Sequence, residues 1–189
     1  AGLPVDFAVV PFRGDYYRLP AARSTLVNTL IYPVPDPALP FLGVHLTLTT
    51  DGGITLGPSA MLAFAREDYR AWAWQNRDAW QALSFPGTWR LLSRFARAGV
   101  TEVLHAASRR AYLRAAQRYC PALVLADLAE KSCGIRAQAV SRDGDMIHDF
   151  LFETTPRSVH VLNAPSPAAT SAFPIAEAVI AQLQTSLSV

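Results

Sequence analysis

Residues 44–56 read VHLTLTTDGGITL, and this stretch decides the class of the fold. Its two halves consist mainly of β-branched and large apolar residues, which favour extended strands. Between them, Asp51, Gly52 and Gly53 suit a tight turn, because glycine readily adopts the positive φ angles that such turns need. The stretch therefore predicts a β-hairpin with strands over 44–49 and 54–56.

Segments of similar composition lie on both sides of this hairpin. Each is rich in β-branched or aromatic residues and is bounded by turn-forming residues. The predicted strands before the hairpin cover residues 7–12, 16–19 and 25–32. Those that follow it cover residues 136–140, 146–152 and 158–162.

Helical spacing replaces the strand pattern over residues 66–119, which we interpret as a helical insertion. Trp89, Leu92 and Phe95 fall on one face of this pattern. A stripe of arginines falls on another face: Arg90, Arg94 and Arg97. We interpret the stripe as a solvated face, with peripheral docking on an anionic membrane or on a partner as the alternative.

The chain ends in a second helical segment, 166–187, with Ser166 as its predicted cap and Pro167 at its first position. Pro174 is expected to kink or divide this helix, because an interior proline removes a backbone hydrogen bond. The complete order is sheet, helical insertion, sheet and final helix. This order predicts an α+β fold with an antiparallel or mixed sheet.

The composition is that of a globular protein, since 51% of the 189 residues are hydrophobic and 17% are charged. The net charge of +2 is too small to indicate nucleic-acid binding. Cys120 and Cys133 have no metal-ligand spacing, so we expect free thiols, no bound metal and a reducing, cytoplasmic compartment. No apolar run predicts a membrane-spanning helix. Because the chain begins at Ala1 without a start-like region, we expect a piece of a longer protein.

The sequence contains no complete catalytic motif. The GxGxxG turn of dinucleotide-binding domains is absent, and so are the GxxxxGK[ST], HExxH and GxSxG patterns. A non-catalytic binding or subunit-interaction domain therefore stays open as an interpretation.

Four stretches carry a resemblance to a known family. They are PFRGDYYRL (11–19), NTLIYPVPDPALPFLGVHLT (28–47), GIRAQAVSRDGDMIHDFLF (134–152) and HVLNAPSPAATSAF (160–173). Together they resemble L-2-hydroxyglutarate oxidases and dehydrogenases, within the wider family of glycine oxidase and D-amino-acid oxidase.

The resemblance covers about the second half of such an enzyme, without the dinucleotide-binding half. It implies a substrate-binding domain over 1–162 and a C-terminal helix over 163–189 that returns to the FAD-binding domain. Accordingly, we expect this chain by itself to bind FAD weakly or not at all and to be inactive.

Arg136 is the first candidate for substrate binding. It begins a predicted strand directly after Gly134 and Ile135, so its guanidinium can project from a sheet face. A planar guanidinium suits a bidentate bond to a carboxylate. In the family, the arginine of a glycine-x-arginine motif binds the substrate carboxylate over the flavin, and the resemblance implies this role for Arg136. It also implies that Arg13 and Tyr17 line the pocket.

The stretch NAPSPAATSA (163–172) resembles the flavin-contacting turn and helix start of the family. The N-terminus of a helix offers unpaired N–H groups and a partial positive charge to the flavin. The resemblance therefore implies FAD as the cofactor. The implied contacts, made largely through the backbone, are Asn163, Ser166, Ala168, Ala169 and Thr170.

Oxidation of an alcohol removes a hydride from carbon and a proton from oxygen. The flavin takes the hydride, and a neutral histidine suits the proton. His45 is the first candidate for this base, and His160 is the second. The implied activity converts L-2-hydroxyglutarate, a dicarboxylic 2-hydroxy acid, to 2-oxoglutarate, with oxygen or a quinone as electron acceptor. An amino acid or glycerol 3-phosphate is the alternative substrate.

Overall fold

The computed structural model describes residues 3, 5–34, 43–70, 72–165 and 168–187. Contacts divide the chain into two compact units, Ala1–Met146 and Ile147–Val189. This division falls earlier than the predicted boundary at 162/163, because the last two strands group with the final helix. The assignment of that helix to an FAD-binding domain stays a prediction.

A five-stranded antiparallel sheet forms the centre of the larger unit. Its longest pairing joins β1 to β5 over twelve residues of each strand. The other edge of β1 pairs with β3 and β4, and β2 pairs with β3. The strands are β1 (Phe7–Arg18), β2 (His45–Leu48), β3 (Ile54–Gly57), β4 (Met61–Leu62) and β5 (Glu130–Ser141). The predicted antiparallel sheet of an α+β fold is thus confirmed.

The predicted hairpin is also confirmed. Strands β2 and β3 pair in antiparallel fashion, and Gly52 at the turn has a φ of 80°. Two backbone hydrogen bonds of 2.9 Å, from Thr49 N to Gly53 O and from Gly52 N to Thr49 O, close the turn. A side chain at Gly52 is disfavoured by this φ alone.

Four of the predicted strand segments differ from the structure, and in one of them, 146–152, only residues 151–152 belong to a strand. The segments 7–12 and 16–19 are one continuous strand, because β5 pairs with every residue between them as well. The segment 25–32 forms turns, and only Ile31 makes an isolated bridge, to Leu46. Apolar and β-branched composition alone does not produce a strand where no neighbouring strand supplies a ladder of partners.

Four helices lie between β4 and β5 in the chain. The helical region begins at Asn76, later than the predicted residue 66, because residues 66–70 and 72–75 form bends and turns, in which Trp72 has a φ of 60°. This region contributes buried side chains to two apolar clusters of the larger unit. Tyr112 belongs to one cluster and Leu91 to the other. The helices are α1 (Asn76–Ser84), α2 (Pro86–Arg94), α3 (Ala96–Ala107) and α4 (Arg109–Gln117).

Two of the three arginines in the predicted stripe form ion pairs within the larger unit. Arg90 Nη1 lies 3.0 Å from Asp143 Oδ1, and Arg94 Nη1 lies 2.6 Å from Asp145 Oδ1. These exposed pairs connect α2 to the turn after β5, so two of the three arginines already have acidic partners. None of the described helices is long and apolar enough to cross a membrane.

The smaller unit consists of a hairpin and a helix, namely β6 (Leu151–Thr155), β7 (Ser158–Asn163) and α5 (Ala172–Leu187). The helix begins at Ala172, later than predicted, and the proposed cap positions Ser166 and Pro167 lie outside the described residues. Pro174 is the third residue of α5 and does not divide it. In the first turn of a helix a proline is tolerated, because its missing N–H would have no intrahelical partner.

Candidate functional site

The register between β1 and β5 determines which side chains lie beside Arg136. Phe12 pairs with Arg136, Gly14 with Gly134, and Tyr16 with Ser132. Directly opposed residues of an antiparallel pair project from the same face, and alternate residues along a strand share it. Arg136 and Tyr16 therefore lie on one face of the sheet, with the two glycines between them.

His45 lies on the same face. Thr55 of β3 pairs with Arg18 of β1, so it lies on the same face as Tyr16. Gly57, two residues further along β3, shares this face and pairs with His45 of β2. The Tyr16 ring covers Gly57 so closely that a Cβ at Gly57 would overlap it. We name the surface formed by Tyr16, His45, Gly57, Gly134 and Arg136 the arginine face.

The guanidinium of Arg136 is available to a ligand. Arg136 is exposed, and within the described part of the chain its side chain has no hydrogen bond or ion pair. An unpaired guanidinium at an open sheet face offers several N–H donors in a fixed plane, which suits a carboxylate.

The ring of His45 is held in a defined orientation. It stacks on the ring of Tyr32 at 4.2 Å between centroids and 20° between planes. Its Nδ1 lies 3.2 Å from Gly43 O. Because a carbonyl oxygen only accepts, this contact places the hydrogen of the neutral ring on Nδ1 and leaves the lone pair on Nε2.

Burial lowers the pKa of His45 below its ordinary value, and the hydrogen bond to Gly43 O opposes this shift only in part. The ring is therefore neutral near pH 7. A neutral imidazole with its lone pair on Nε2 is able to accept a proton. Both the orientation and the charge state of His45 therefore suit a general base.

Tyr17 and Arg13, which we predicted to line the pocket, lie on the opposite face of β1. Tyr17 is buried in the core, and its ring centroid lies 5.1 Å from that of Tyr112. Arg13 donates through Nε to Asp15 Oδ1 at 2.7 Å and through Nη1 to Arg70 O at 2.6 Å. The structure thus gives both residues contacts within the fold and separates them from Arg136.

Tyr16, and not the predicted Tyr17, lies on the same face of the sheet as Arg136. Adjacent residues of a strand project from opposite faces, so only one of Tyr16 and Tyr17 is able to accompany Arg136. Tyr17 and Arg13 were predicted from the stretch PFRGDYYRL alone, which does not show which of the two tyrosines shares a face with Arg136. In the structure Asp15 is buried and also lies 2.9 Å from Lys131 Nζ, so its carboxylate pairs with two cations beneath the sheet.

An apolar cavity of about 560 Å³ opens beside β4 and the helices α2 and α3. Phe12, the strand partner of Arg136, contributes to its wall, whereas Arg136 itself does not. Other apolar residues in the wall are Met61, Leu62, Phe95 and Val103. The larger unit therefore presents an apolar surface next to the strand pair that carries the candidate carboxylate-binding arginine.

In the smaller unit, His160 has a partner within its own hairpin. His160 Nε2 lies 2.8 Å from Ser158 Oγ, which lies 2.6 Å from Thr155 Oγ1. The side chain of Asn163 is buried and donates to Asp149 O at 2.7 Å and to Ile147 O at 3.3 Å. These contacts hold the hairpin and its preceding segment together and engage the side-chain nitrogen of Asn163.

The predicted flavin-contacting residues Ala168, Ala169 and Thr170 form turns directly before α5. Ala168 N donates to Pro165 O at 3.0 Å, and Ser171 N donates to Ala168 O at 3.2 Å. Ser166, the fifth predicted contact, lies outside the described residues. The first turn of α5 follows this segment. Ile175 N donates to Ser171 O at 3.0 Å and Pro174 has no N–H, so the backbone donors that this turn leaves for a ligand are those of Ala172 and Phe173.

Both cysteines are free, as predicted. Cys133 Sγ donates to Tyr69 O at 3.0 Å, and burial raises the pKa of its thiol above the ordinary value. Among the described residues no group of three or more histidines, cysteines or carboxylates is placed to hold a metal ion.

Comparison with known proteins gives a family and close relatives. The family model described as DAO, FAD dependent oxidoreductase, matches residues 1–182. L-2-Hydroxyglutarate dehydrogenase of Escherichia coli (strain K12) is 50% identical over 187 residues, which are 99% of this chain and 44% of the relative. The mitochondrial L-2-hydroxyglutarate dehydrogenase of Homo sapiens is 41% identical over 189 residues, with coverages of 97% and 41%. The chain thus spans less than half the length of these curated relatives.

A solved structure shares the fold. The FAD-bound, dithionite-reduced L-alpha-glycerophosphate oxidase from Mycoplasma pneumoniae matches with a TM-score of 0.58 and 17% sequence identity, over 95% of this chain and 37% of that one. At this identity the likeness shows the fold and nothing about the substrate.

Proposed function

The chain belongs to the family of FAD-dependent oxidoreductases, and from this premise we propose that it is the substrate-binding part of an enzyme that oxidises L-2-hydroxyglutarate to 2-oxoglutarate. The observation that carries the proposal is the arginine face, where a neutral His45 lies on the same side of the sheet as Arg136, whose side chain has no ion pair among the described residues. The relatives named L-2-hydroxyglutarate dehydrogenase support the choice of substrate.

Arg136 binds the carboxylate next to the reacting carbon. Two parallel N–H···O bonds from a guanidinium fix both the position and the orientation of a carboxylate. A substrate held in this way presents its 2-hydroxyl at a defined distance from the sheet face, which lowers the entropic part of the barrier.

His45 accepts the proton of the 2-hydroxyl at Nε2, and His160 is the second candidate for this role. The proton leaves the oxygen as a hydride leaves C2, so the C–O bond becomes the carbonyl of 2-oxoglutarate. FAD, when bound, supplies the hydride acceptor. His45 carries a positive charge after the step and returns to its neutral form by releasing the proton to water.

The segment before α5 fits an electron-rich flavin edge. We assign the contacts to Asn163, Ala168, Ala169 and Thr170, together with Ser166. The N–H groups of Ala172 and Phe173 and the partial positive charge of a helix N-terminus suit a ring that gains negative charge on reduction. Oxygen or a quinone would be the final electron acceptor.

The decisive experiment is anaerobic flavin bleaching of the full-length protein with L-2-hydroxyglutarate, for the wild type and for Arg136→Ala. Removing the arginine should weaken transition-state binding by roughly 2–5 kcal/mol, while the flavin stays bound. Arg114→Ala, at an exposed position of α4, is the matched control and should bleach like the wild type.

Two results would contradict the proposal. If the wild type is not bleached by L-2-hydroxyglutarate but is bleached by an amino acid with release of ammonia, the substrate is wrong. If Arg136→Ala and Arg114→Ala bleach at the same rate as the wild type, the arginine face is not the substrate site.

A further inference from the structure

Tyr32 lies directly opposite His45 because of the backbone bridge beside it. Ile31 N donates to Leu46 O and Leu46 N donates to Ile31 O, both at 3.0 Å, so these two residues form an isolated antiparallel bridge. The next pair along such a bridge has no backbone hydrogen bonds of its own, and its side chains come closest together. That next pair is Tyr32 and His45. The backbone itself therefore brings their two rings together.

The hydroxyl group of Tyr32 has a separate contact with β2. Tyr32 Oη lies 3.3 Å from Thr47 Oγ1, and Thr47 is two residues beyond His45 on the same face of the strand. The ring is thus held at both ends, by the bridge at one end and by Thr47 at the other. Tyr32 is 47% exposed and is not among the buried residues of the two apolar clusters. A change of this side chain is therefore expected to leave the core intact.

One hydrogen bond does not fix the plane of the His45 ring. The outer side-chain torsion of a histidine has broad energy minima. The contact of His45 Nδ1 with Gly43 O, at 3.2 Å, anchors one edge of the ring and leaves the plane free to tilt. The Tyr32 ring supplies the missing restraint, because the two rings are stacked at 4.2 Å with 20° between their planes. Together, the two contacts determine the position of Nε2.

We propose that Tyr32 is a positioning residue, whose ring holds the His45 imidazole in the plane from which Nε2 accepts the proton of the 2-hydroxyl. This inference rests on the proposed function, and Tyr32 acts only through His45, without a contact to the substrate. A general base must lie within hydrogen-bond reach of the proton that it accepts. A ring that is already held in this plane reacts without first losing rotational freedom, which lowers the barrier.

The test is the steady-state oxidation of L-2-hydroxyglutarate by the full-length protein with its flavin. Tyr32→Leu removes the stacked ring and should lower kcat by roughly ten- to a hundredfold, while KM stays the same, because a misplaced base affects the reaction and not substrate binding. Tyr32→Phe keeps the ring and should recover most of the wild-type kcat. Tyr69→Leu makes the same replacement at another exposed tyrosine, as the matched control, and should behave like the wild type.

The double variant Tyr32→Leu/His45→Gln gives a readout that a merely structural role of Tyr32 would not move. If Tyr32 acts through His45, loss of its ring costs nothing further once His45 has been replaced. The same fold-loss of kcat in both backgrounds would overturn the inference, and so would a Tyr32→Phe variant as slow as Tyr32→Leu. Flavin content is measured for each variant. Tyr32→Thr, a β-branched residue suited to an extended segment, repeats the test if Tyr32→Leu does not retain its flavin.

The two proposals fail in different ways. If the wild type oxidises another hydroxy acid but not L-2-hydroxyglutarate, and Tyr32→Leu slows that reaction only when His45 is present, the proposed substrate is wrong and the role of Tyr32 stands. If oxidation of L-2-hydroxyglutarate depends on Arg136 while Tyr32→Leu keeps the wild-type kcat, the proposed function stands and the inference is wrong. A His45→Gln variant with the wild-type kcat also overturns the inference, because Tyr32 would then have no base to position.

Discussion

Gly14 of β1 pairs directly with Gly134 of β5, and this pair lies between Phe12–Arg136 on one side and Tyr16–Ser132 on the other. Both glycines are on the arginine face. Gly14 lies under Pro58, since a Cβ at Gly14 would be 2.7 Å from Pro58 Cβ and 3.0 Å from Ser59 O. The close approach of residues 58–59 to β1 therefore depends on the absence of a side chain at this position.

Replacing Gly14 with alanine should destabilise the protein. The added methyl group has no space, so the backbone near Pro58 must move, at a cost of about 1–3 kcal/mol. Urea unfolding of the full-length variant measures this cost. Gly99→Ala in α3 is the matched control, because nothing lies within 4 Å of its added Cβ. Alanine favours a helix over glycine, so the control should gain about 0.5–1 kcal/mol. A Gly14→Ala variant as stable as this control would contradict the packing described.

The hairpin and the sheet class were predictable, because the turn at Gly52 and the alternation of apolar residues are local signals. The pairing of Gly14 with Gly134 was not. It joins residues that are far apart in sequence, and a shift by one residue would place Tyr17 instead of Tyr16 beside Arg136. The motif alone was enough to select Arg136 as a candidate. Which tyrosine lies beside it on the arginine face could be found only from the register between β1 and β5.

The ion pairs of Asp15 with Arg13 and Lys131 could not be predicted from the sequence either. Arg13 and Asp15 alternate with Gly14 in a charged stretch, which is the usual pattern of an exposed strand face. Their burial became possible because Lys131, on the paired strand, and the backbone of residues 69–70 supply the remaining partners. Nothing local in the stretch 11–19 indicates those contacts.

Asp15→Asn should cause a large loss of stability. The carboxylate is buried and lies 2.7 Å from Arg13 Nε and 2.9 Å from Lys131 Nζ. An amide cannot balance two cations, and breaking a buried pair by removing one partner costs about 3–5 kcal/mol. Thermal unfolding measures the effect. Asp143→Asn removes the acidic partner of the exposed pair with Arg90, so its unfolding midpoint should hardly change. Equal midpoints for the two variants would show that the Asp15 cluster does not stabilise the fold.

The role proposed for His45 leads to a prediction about pH. Burial lowers its pKa below the ordinary 6.5, so the neutral form of the ring predominates at that pH and above it. The value of kcat/KM for L-2-hydroxyglutarate should therefore be level near pH 7 and should fall only in more acidic solution, where protonation removes the Nε2 lone pair.

His45→Gln should lower kcat by roughly 10²–10⁴-fold and remove the acidic limb of this pH profile, because glutamine does not titrate. Steady-state rates across the pH range, with flavin content measured for each variant, check both effects. His160→Gln is the comparison, since His160 Nε2 already has Ser158 Oγ as a partner at 2.8 Å. If the acidic limb disappears in His160→Gln and persists in His45→Gln, the proton goes to His160 and the first assignment is wrong.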